Sequence, residues 1–104
     1  MRIIIEPRVH QAIDSFYDAA LFRHWHTLSY EKVEERKKQL YAGIRSLKEY
    51  HSIFGTARLK QEWIDEGWQE FICNDFHFAY EVLLDKNGEK MIIVKDAVHS
   101  MMYH

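Results

Sequence analysis

The chain has 104 residues, a length that fits one domain (residues 1–104) and leaves no room for a second. Hydrophobic residues make up 47% of it, which favours a packed globule over a disordered segment. A formal net charge of −2 argues against a strongly basic nucleic-acid-binding protein, because phosphate affinity comes from clustered lysines and arginines. The seven histidines qualify that exclusion, because an ordinary pKa of about 6.5 lets mild acidification make them cationic.

Cysteine usage and hydropathy bear on where the protein works. Cys73 is the only cysteine and cannot form a disulfide within the chain, so a reducing compartment is the default expectation. No signal-peptide pattern follows Arg2, and no apolar run approaches the roughly 20 residues of a membrane span. His24 and His26 diverge on a helix and make poor metal ligands together. We therefore expect a cytoplasmic protein with no membrane association, no metal and no cofactor.

The first half of the chain predicts one strand and two helices. Residues 2–6 are β-branched, and their unbroken isoleucines predict a strand covered on both faces. Residues 8–26 repeat apolar side chains at helical steps, and a second helix is predicted from the N-cap Ser29 to about Tyr50. The apolar positions of the two helices are Val9, Ile13, Phe16, Ala20 and Trp25, then Val33, Leu40, Ile44 and Leu47.

The second half predicts strands, because the hydrophobic period changes to 2 after residues 56–67, which have no clear period. Residues 68–73, 76–84 and 91–94 are predicted strands, and residues 98–103 continue extended after a bulge near Asp96 and Ala97. Asn74 and Asp75 predict a tight turn, and residues 85–88 a hairpin loop. The result is an α+β domain with an N-terminal strand, a two-helix hairpin and a largely antiparallel C-terminal sheet.

Motifs of the second half carry a family resemblance. They are Arg58-Leu59-Lys60, Gly67-Trp68, the strand from Phe76 to Val82 (FHFAYEV), the apolar strand Met91 to Val94, and a terminal His99 with Tyr103-His104. This series resembles the RelE/ParE superfamily of type II toxin–antitoxin toxins, and the element order β-α-α-β-β-β resembles that fold over essentially the whole chain. The resemblance implies either a ribosome-dependent endoribonuclease that cuts mRNA or a poison of DNA gyrase, neutralised by a cognate antitoxin.

The sequence departs from the family pattern at the residues that matter for RNA cleavage. His77 stands where the family strand has an arginine that helps to stabilise the transition-state phosphate. The segment from His99 to His104 contains no arginine, and Ala57-Arg58 stands where some nucleolytic members have an acidic residue. A histidine-based version of the reaction is one reading of these changes. A gyrase inhibitor without catalysis, or a non-toxic relative of the fold, is the alternative.

Metal-free RNA cleavage needs a base, an acid and a cation for the phosphate oxygens. The predicted catalytic residues are His77, His99, Tyr103 and His104, and the predicted substrate-binding residues are Arg58 and Lys60. His99 and Tyr103 share one face of the last strand, and convergence requires that face to be the one that carries His77. Ordinary surface histidines are the competing interpretation. The expected partners are an antitoxin and either the ribosome with mRNA or DNA gyrase.

Overall fold

A computed structural model describes residues 1–102 of the chain. Strand β1 (Arg2–Ile5) leads into helix α1 (Pro7–Arg23), whose proline occupies a first-turn position where a backbone N–H has no helical partner to lose. Helix α2 (Tyr30–Arg45) begins at Ser29, whose hydroxyl accepts the Lys32 amide at 3.2 Å, so the predicted N-cap is confirmed. The remaining elements are α3 (Leu47–Tyr50), α4 (Gln61–Glu66), β2 (Gln69–Cys73), β3 (Phe76–Leu84), β4 (Lys90–His99) and a 3₁₀ turn (Ser100–Met102).

The strands form one mixed sheet in the order β1-β4-β3-β2. The β1–β4 pair is parallel, and the other two pairs are antiparallel. Asn74 and Asp75 have φ angles of 48° and 66°, the left-handed conformations of a two-residue type I′ turn between β2 and β3. The α+β class, the N-terminal strand, the helices and the largely antiparallel sheet are therefore confirmed.

Helices α1 and α2 form an antiparallel hairpin over one side of the sheet, which we call the first face. Asp14 of α1 pairs with Lys37 of α2 at 3.0 Å, and His10 lies 2.6 Å from the Tyr41 hydroxyl, so residue numbers rise along one helix as they fall along the other. The predicted apolar stripe of α2 is fully buried there. The largest sheet side chains beneath the hairpin are Phe76, Phe78 and Tyr80, which are fully buried as well.

Part of the opposite side, the second face, is covered by residues 57–68, which we call the strap. Trp63 and Trp68 of the strap are buried against Ala57 and Ala79, so their rings are part of a second, smaller core on this face. The sequence shows no period in this region, yet it contains helix α4. Six residues are too few for a 3.6-residue period to repeat, so periodicity does not detect such a helix.

Three predictions for the first half of the chain are wrong: the burial of β1 and the ends of both helices. Strand β1 is not covered on both faces: Ile4 is 38% exposed, because β1 lies at the sheet edge and alternate residues face away from the helices. Helix α1 ends at Arg23, and Trp25 beyond it is 78% exposed instead of buried. Helix α2 ends at Arg45, and only the short α3 continues toward Tyr50.

The last strand differs from the prediction in its continuity. Lys90–His99 forms one strand, β4, and its bulge lies at Lys95, one residue earlier than predicted. Ala79 faces Asp96 whereas Tyr80 faces Val94, so Lys95 is the extra residue. The bulge directs both Lys95 and Asp96 toward ionic partners on the second face.

Candidate functional site on the second sheet face

A histidine and a glutamate meet on the second face through the register of β2 and β3. Glu70 pairs with Ala79 across the two strands, and His77 lies two residues away on the same face. Diagonal neighbours of this kind are within reach of long side chains. His77 Nδ1 lies 2.9 Å from Glu70 Oε2, and the two side chains are 15% and 13% exposed. The pair is thus nearly enclosed by the protein.

Glu70 is held by the strap as well as by the histidine. Its Oε1 accepts the backbone N–H groups of Arg58 and Leu59 at 3.0 and 3.1 Å. Burial alone raises the pKa of Glu70, but the hydrogen bonds from His77 and the two amides outweigh it and hold that pKa below the usual range. Because an ionised carboxylate only accepts hydrogen bonds, Nδ1 of His77 carries a proton. In the neutral ring Nε2 is then the basic nitrogen, and within residues 1–102 it has no hydrogen-bond partner.

A second ionic group lies across Ala79 from Glu70. Asp96, 6% exposed, accepts the indole N–H of Trp63 at 2.8 Å and the ammonium of Lys60 at 3.3 Å. The guanidinium of Arg8 approaches the same carboxylate at 3.8 Å. Asp96 therefore anchors the strap on one side of Ala79, as Glu70 does on the other.

Cations surround the indole of Trp68 at the edge of this site. Arg8 and Lys95 lie 5.8 and 5.5 Å from its ring centre. Lys95 also bonds Glu6 at 2.7 Å and lies 3.6 Å from Glu81. The positive charge of these two cations beside Trp68 is consequently matched by carboxylates, and little of it is available to attract a polyanion.

His99 lies on the first face, so the expected convergence with His77 is wrong. Cross-strand pairing places His99 beside Phe76, whereas His77 pairs with Val98. The His99 ring stacks on Phe16 with centroids 3.8 Å apart, and its Nδ1 accepts the Met101 amide at 3.1 Å. Burial lowers the pKa of His99 below its ordinary 6.5, and the accepting Nδ1 fits the neutral ring. This is the environment of a core histidine.

The other predicted site residues divide in the same way. Lys60 lies on the second face against Asp96, and Arg58 contributes its amide to Glu70 while its side chain is exposed. Tyr103 and His104 lie outside the described residues. The structure thus brings His77 together with the segment of Arg58 and Lys60, and separates this group from His99.

The sequence interpretation gave no site role to Glu70 or Asp96. Glu70 could have been found: a two-residue turn at Asn74-Asp75 pairs Cys73 with Phe76, and counting back pairs Glu70 with Ala79, diagonal to His77. No comparable count leads to Asp96, because its partners come from the strap, which has no regular register with the sheet.

Within residues 1–102, no three histidine, cysteine, aspartate or glutamate side chains lie close enough to hold a metal ion. No helix in that range combines the length and apolar character needed to cross a membrane. No protein-family model matches the sequence, and no curated protein matches it. The function must accordingly be argued from the Glu70–His77 pair and its surroundings.

Proposed function

We propose that this protein is the toxin of a bacterial type II toxin–antitoxin pair of the RelE/ParE type, and that it cleaves mRNA with His77 as general base. The element order, with a helical hairpin on one face of a four-stranded sheet, supports the proposal. So does the position of His77 within the FHFAYEV strand, where the family resemblance calls for a residue that acts on the phosphate.

The observation that carries the catalytic part is the 2.9 Å contact between His77 and Glu70. A carboxylate bonded to one ring nitrogen fixes the tautomer and orientation of a histidine, which leaves the other nitrogen ready to take a proton. The amides of Arg58 and Leu59 hold the carboxylate in turn. Such an arrangement resembles the base and its orienting acid in enzymes that activate a hydroxyl.

In the proposed reaction, Nε2 of His77 takes the proton of a ribose 2′-hydroxyl. The 2′ oxygen then forms a bond to phosphorus as the bond from phosphorus to the 5′ oxygen breaks, which yields a 2′,3′-cyclic phosphate. The departing 5′ oxygen takes a proton from solvent or from the C-terminal acid candidates Tyr103 and His104. The exposed guanidinium of Arg58 is the phosphate ligand of this scheme, since Lys60 is engaged by Asp96.

A gyrase-inhibiting binding protein is the second candidate, and the end of the helical hairpin favours it. Phe22, Trp25 and Tyr30 are 86%, 78% and 68% exposed, and aromatic side chains of this kind are enriched at protein interfaces. A net charge of −2 also opposes binding to RNA, which is a polyanion, more than it opposes binding to a protein partner. In that case His77 and Glu70 only hold the strap on the sheet.

The test is induced expression in a bacterial host, comparing the intact chain with His77→Ala, Glu70→Gln and the control Lys86→Ala, an exposed residue of the loop between β3 and β4. All variants are first shown to be folded by circular dichroism. We expect growth arrest with the intact chain and the control, with protein synthesis stopping before DNA synthesis. His77→Ala should be harmless, because losing a general base costs about 10²–10⁴-fold in rate.

Three other results would each contradict the proposal in a defined way. Arrest by His77→Ala equal to that by the intact chain, with DNA synthesis stopping first, would support the gyrase alternative. Arrest of protein synthesis without dependence on His77 would remove the catalytic assignment and keep the toxin. A folded chain that causes no arrest would identify a non-toxic relative. A ribosome-dependent mRNA cleavage assay with purified protein separates the first two.

A further inference from the structure

A cavity of about 730 Å³ lies on the first face, at the end of the helical hairpin where α1 leads into α2. Both helices, the turn between β2 and β3 and the 3₁₀ turn after β4 contribute to its lining. Neither His77 nor Glu70 lines it, so the cavity is separate from the candidate catalytic group. Its volume is within the range of about 300–1,000 Å³ that is typical of sites for small organic molecules.

Two buried polar side chains of this cavity have no hydrogen-bond partner for one of their donors. Tyr17 and His99 both line it and are only 4% and 8% exposed. His99 Nδ1 accepts the Met101 amide, so the proton of the neutral ring is on Nε2. Within residues 1–102, neither this Nε2–H nor the Tyr17 hydroxyl meets an acceptor, and no unpartnered side-chain donor of that range is sealed from solvent. Both donors are therefore open to the cavity and available to a ligand.

The charged side chains around the cavity are mostly positive. Arg23 of α1 and Arg36 of α2 are exposed at its rim, and neither pairs with a carboxylate of residues 1–102. His24 adds a positive charge when it is protonated. Asp75 is the one described carboxylate that lines the cavity. Burial raises the pKa of Tyr17, and the charges of Arg36 and Asp75 act on that pKa in opposite directions, so both groups lie near the Tyr17 hydroxyl.

The apolar part of the lining suits a flat ring. Phe16, whose ring stacks on that of His99 with centroids 3.8 Å apart, is one side of it. Leu28, Met101 and Met102 line the cavity as well, and methionine sulfur makes favourable contacts with aromatic rings. The two methionines are 70% and 59% exposed, so the described chain leaves most of their apolar surface uncovered.

We propose that this cavity binds a small aromatic carboxylate. The carboxylate accepts hydrogen bonds from the Tyr17 hydroxyl and the His99 Nε2–H and meets the guanidinium of Arg36, which suits a planar anion with two oxygens. The aromatic ring lies against Phe16 and the two methionines. The inference rests on this cavity and not on His77, so each proposal can fail while the other holds.

The test is NMR titration of the isotopically labelled, full-length chain with naphthalene-2-carboxylate, with the uncharged naphthalene-2-carboxamide and with hexanoate, which has no ring. We expect the aromatic carboxylate to shift the amide signals of the β2–β3 turn and of residues 99–102, and to bind at least about tenfold more tightly than either other probe. Tyr17→Phe removes only a hydroxyl without a partner in the described chain, and it should weaken binding about tenfold. The control Tyr41→Phe, whose hydroxyl lies beside His10 and outside the cavity, should bind as the intact chain does.

Charge variants test the same inference without altering a buried residue. Arg36→Gln should weaken binding of the aromatic carboxylate about tenfold, whereas Arg45→Gln, an exposed arginine at the other end of α2, should not. Asp75→Asn should strengthen binding, because it removes the opposing charge, and asparagine tolerates the φ of 66° at this turn position.

Three results would overturn the proposal. They are equal binding of the carboxylate and the carboxamide, undiminished binding to both Tyr17→Phe and Arg36→Gln, and an absence of binding by the aromatic carboxylate at millimolar concentration. Amide shifts confined to β1 or to the strap would likewise contradict it, because they would place the ligand outside the cavity.

Discussion

Replacing Asp96 by alanine tests the strap's attachment to the sheet. The Asp96 carboxylate is almost fully buried and accepts the Trp63 indole N–H and the Ala97 amide, each at 2.8 Å. Alanine leaves both donors without a partner, and an unsatisfied buried donor costs about 1–3 kcal/mol. We expect Asp96→Ala to lower the free energy of unfolding by about 2–4 kcal/mol, a large part of the roughly 5–15 kcal/mol typical of a domain.

Asparagine at the same position removes the charge and one of the two accepting oxygens. Asp96 accepts the Trp63 indole through Oδ2 and the Ala97 amide through Oδ1, so asparagine keeps an oxygen for only one of these donors and turns its NH2 group toward the other. Lys60 and Arg8 are 29% and 41% exposed, so solvent screens the lost ion pairs, which should cost at most about 1 kcal/mol. We therefore expect Asp96→Asn to cost about 1–3 kcal/mol, from one unsatisfied donor instead of two.

Urea unfolding followed by circular dichroism measures these differences without depending on tryptophan fluorescence. A double-mutant cycle with Trp63→Phe should show a coupling of about 0.5–3 kcal/mol, since phenylalanine has no N–H to leave unsatisfied. Asp96→Ala within about 0.5 kcal/mol of the intact chain, the range of ordinary surface substitutions, would refute the reasoning. So would a cost of Asp96→Asn clearly above that of Asp96→Ala.

Three further predictions concern the first face and helix α2. A Cβ on Gly43 would lie 2.6 Å from the Cys73 sulfur, so Gly43→Ala in the intact chain should be neutral or destabilising. In a Cys73→Ala background the same substitution should stabilise the protein by up to about 1 kcal/mol, because alanine favours the helix over glycine. Equal effects in the two backgrounds, measured by urea unfolding, would contradict the contact. Burial lowers the pKa of His99 in the folded state, so below about pH 6.5 the unfolded chain binds more protons than the folded chain. The free energy of unfolding should therefore decrease as the pH is lowered through this range, and it should decrease less in folded His99→Phe. Parallel pH profiles of the two proteins would refute this. Ser29→Ala removes the N-cap of α2 and should lower the free energy of unfolding by about 1 kcal/mol, as measured by thermal or urea unfolding. The control Ser29→Asp keeps a capping oxygen and should change it very little.

The local periods of the sequence determined the element order and the helical hairpin. Apolar steps of 3 and 4 mark the buried side of α2, and strict alternation marks the buried side of β3, because each pattern follows from the geometry of one element alone. The turn at Asn74-Asp75 was equally readable, since few residue pairs adopt two successive left-handed conformations. These features depend on neighbours along the chain and needed no tertiary information.

Only the tertiary structure decided which chemistry-bearing side chains meet. His77 and His99 lie on separate strands, and the antiparallel register with its bulge at Lys95 sets their faces, so their separation could not be read from spacing. Asp96 takes its partners from the strap, which has no regular period. Strand β1 is at the edge of the sheet because β4 pairs with one side of it, and no other described strand pairs with its outer side. Register, strap and edge arise from contacts between distant segments, whose energies no local pattern encodes.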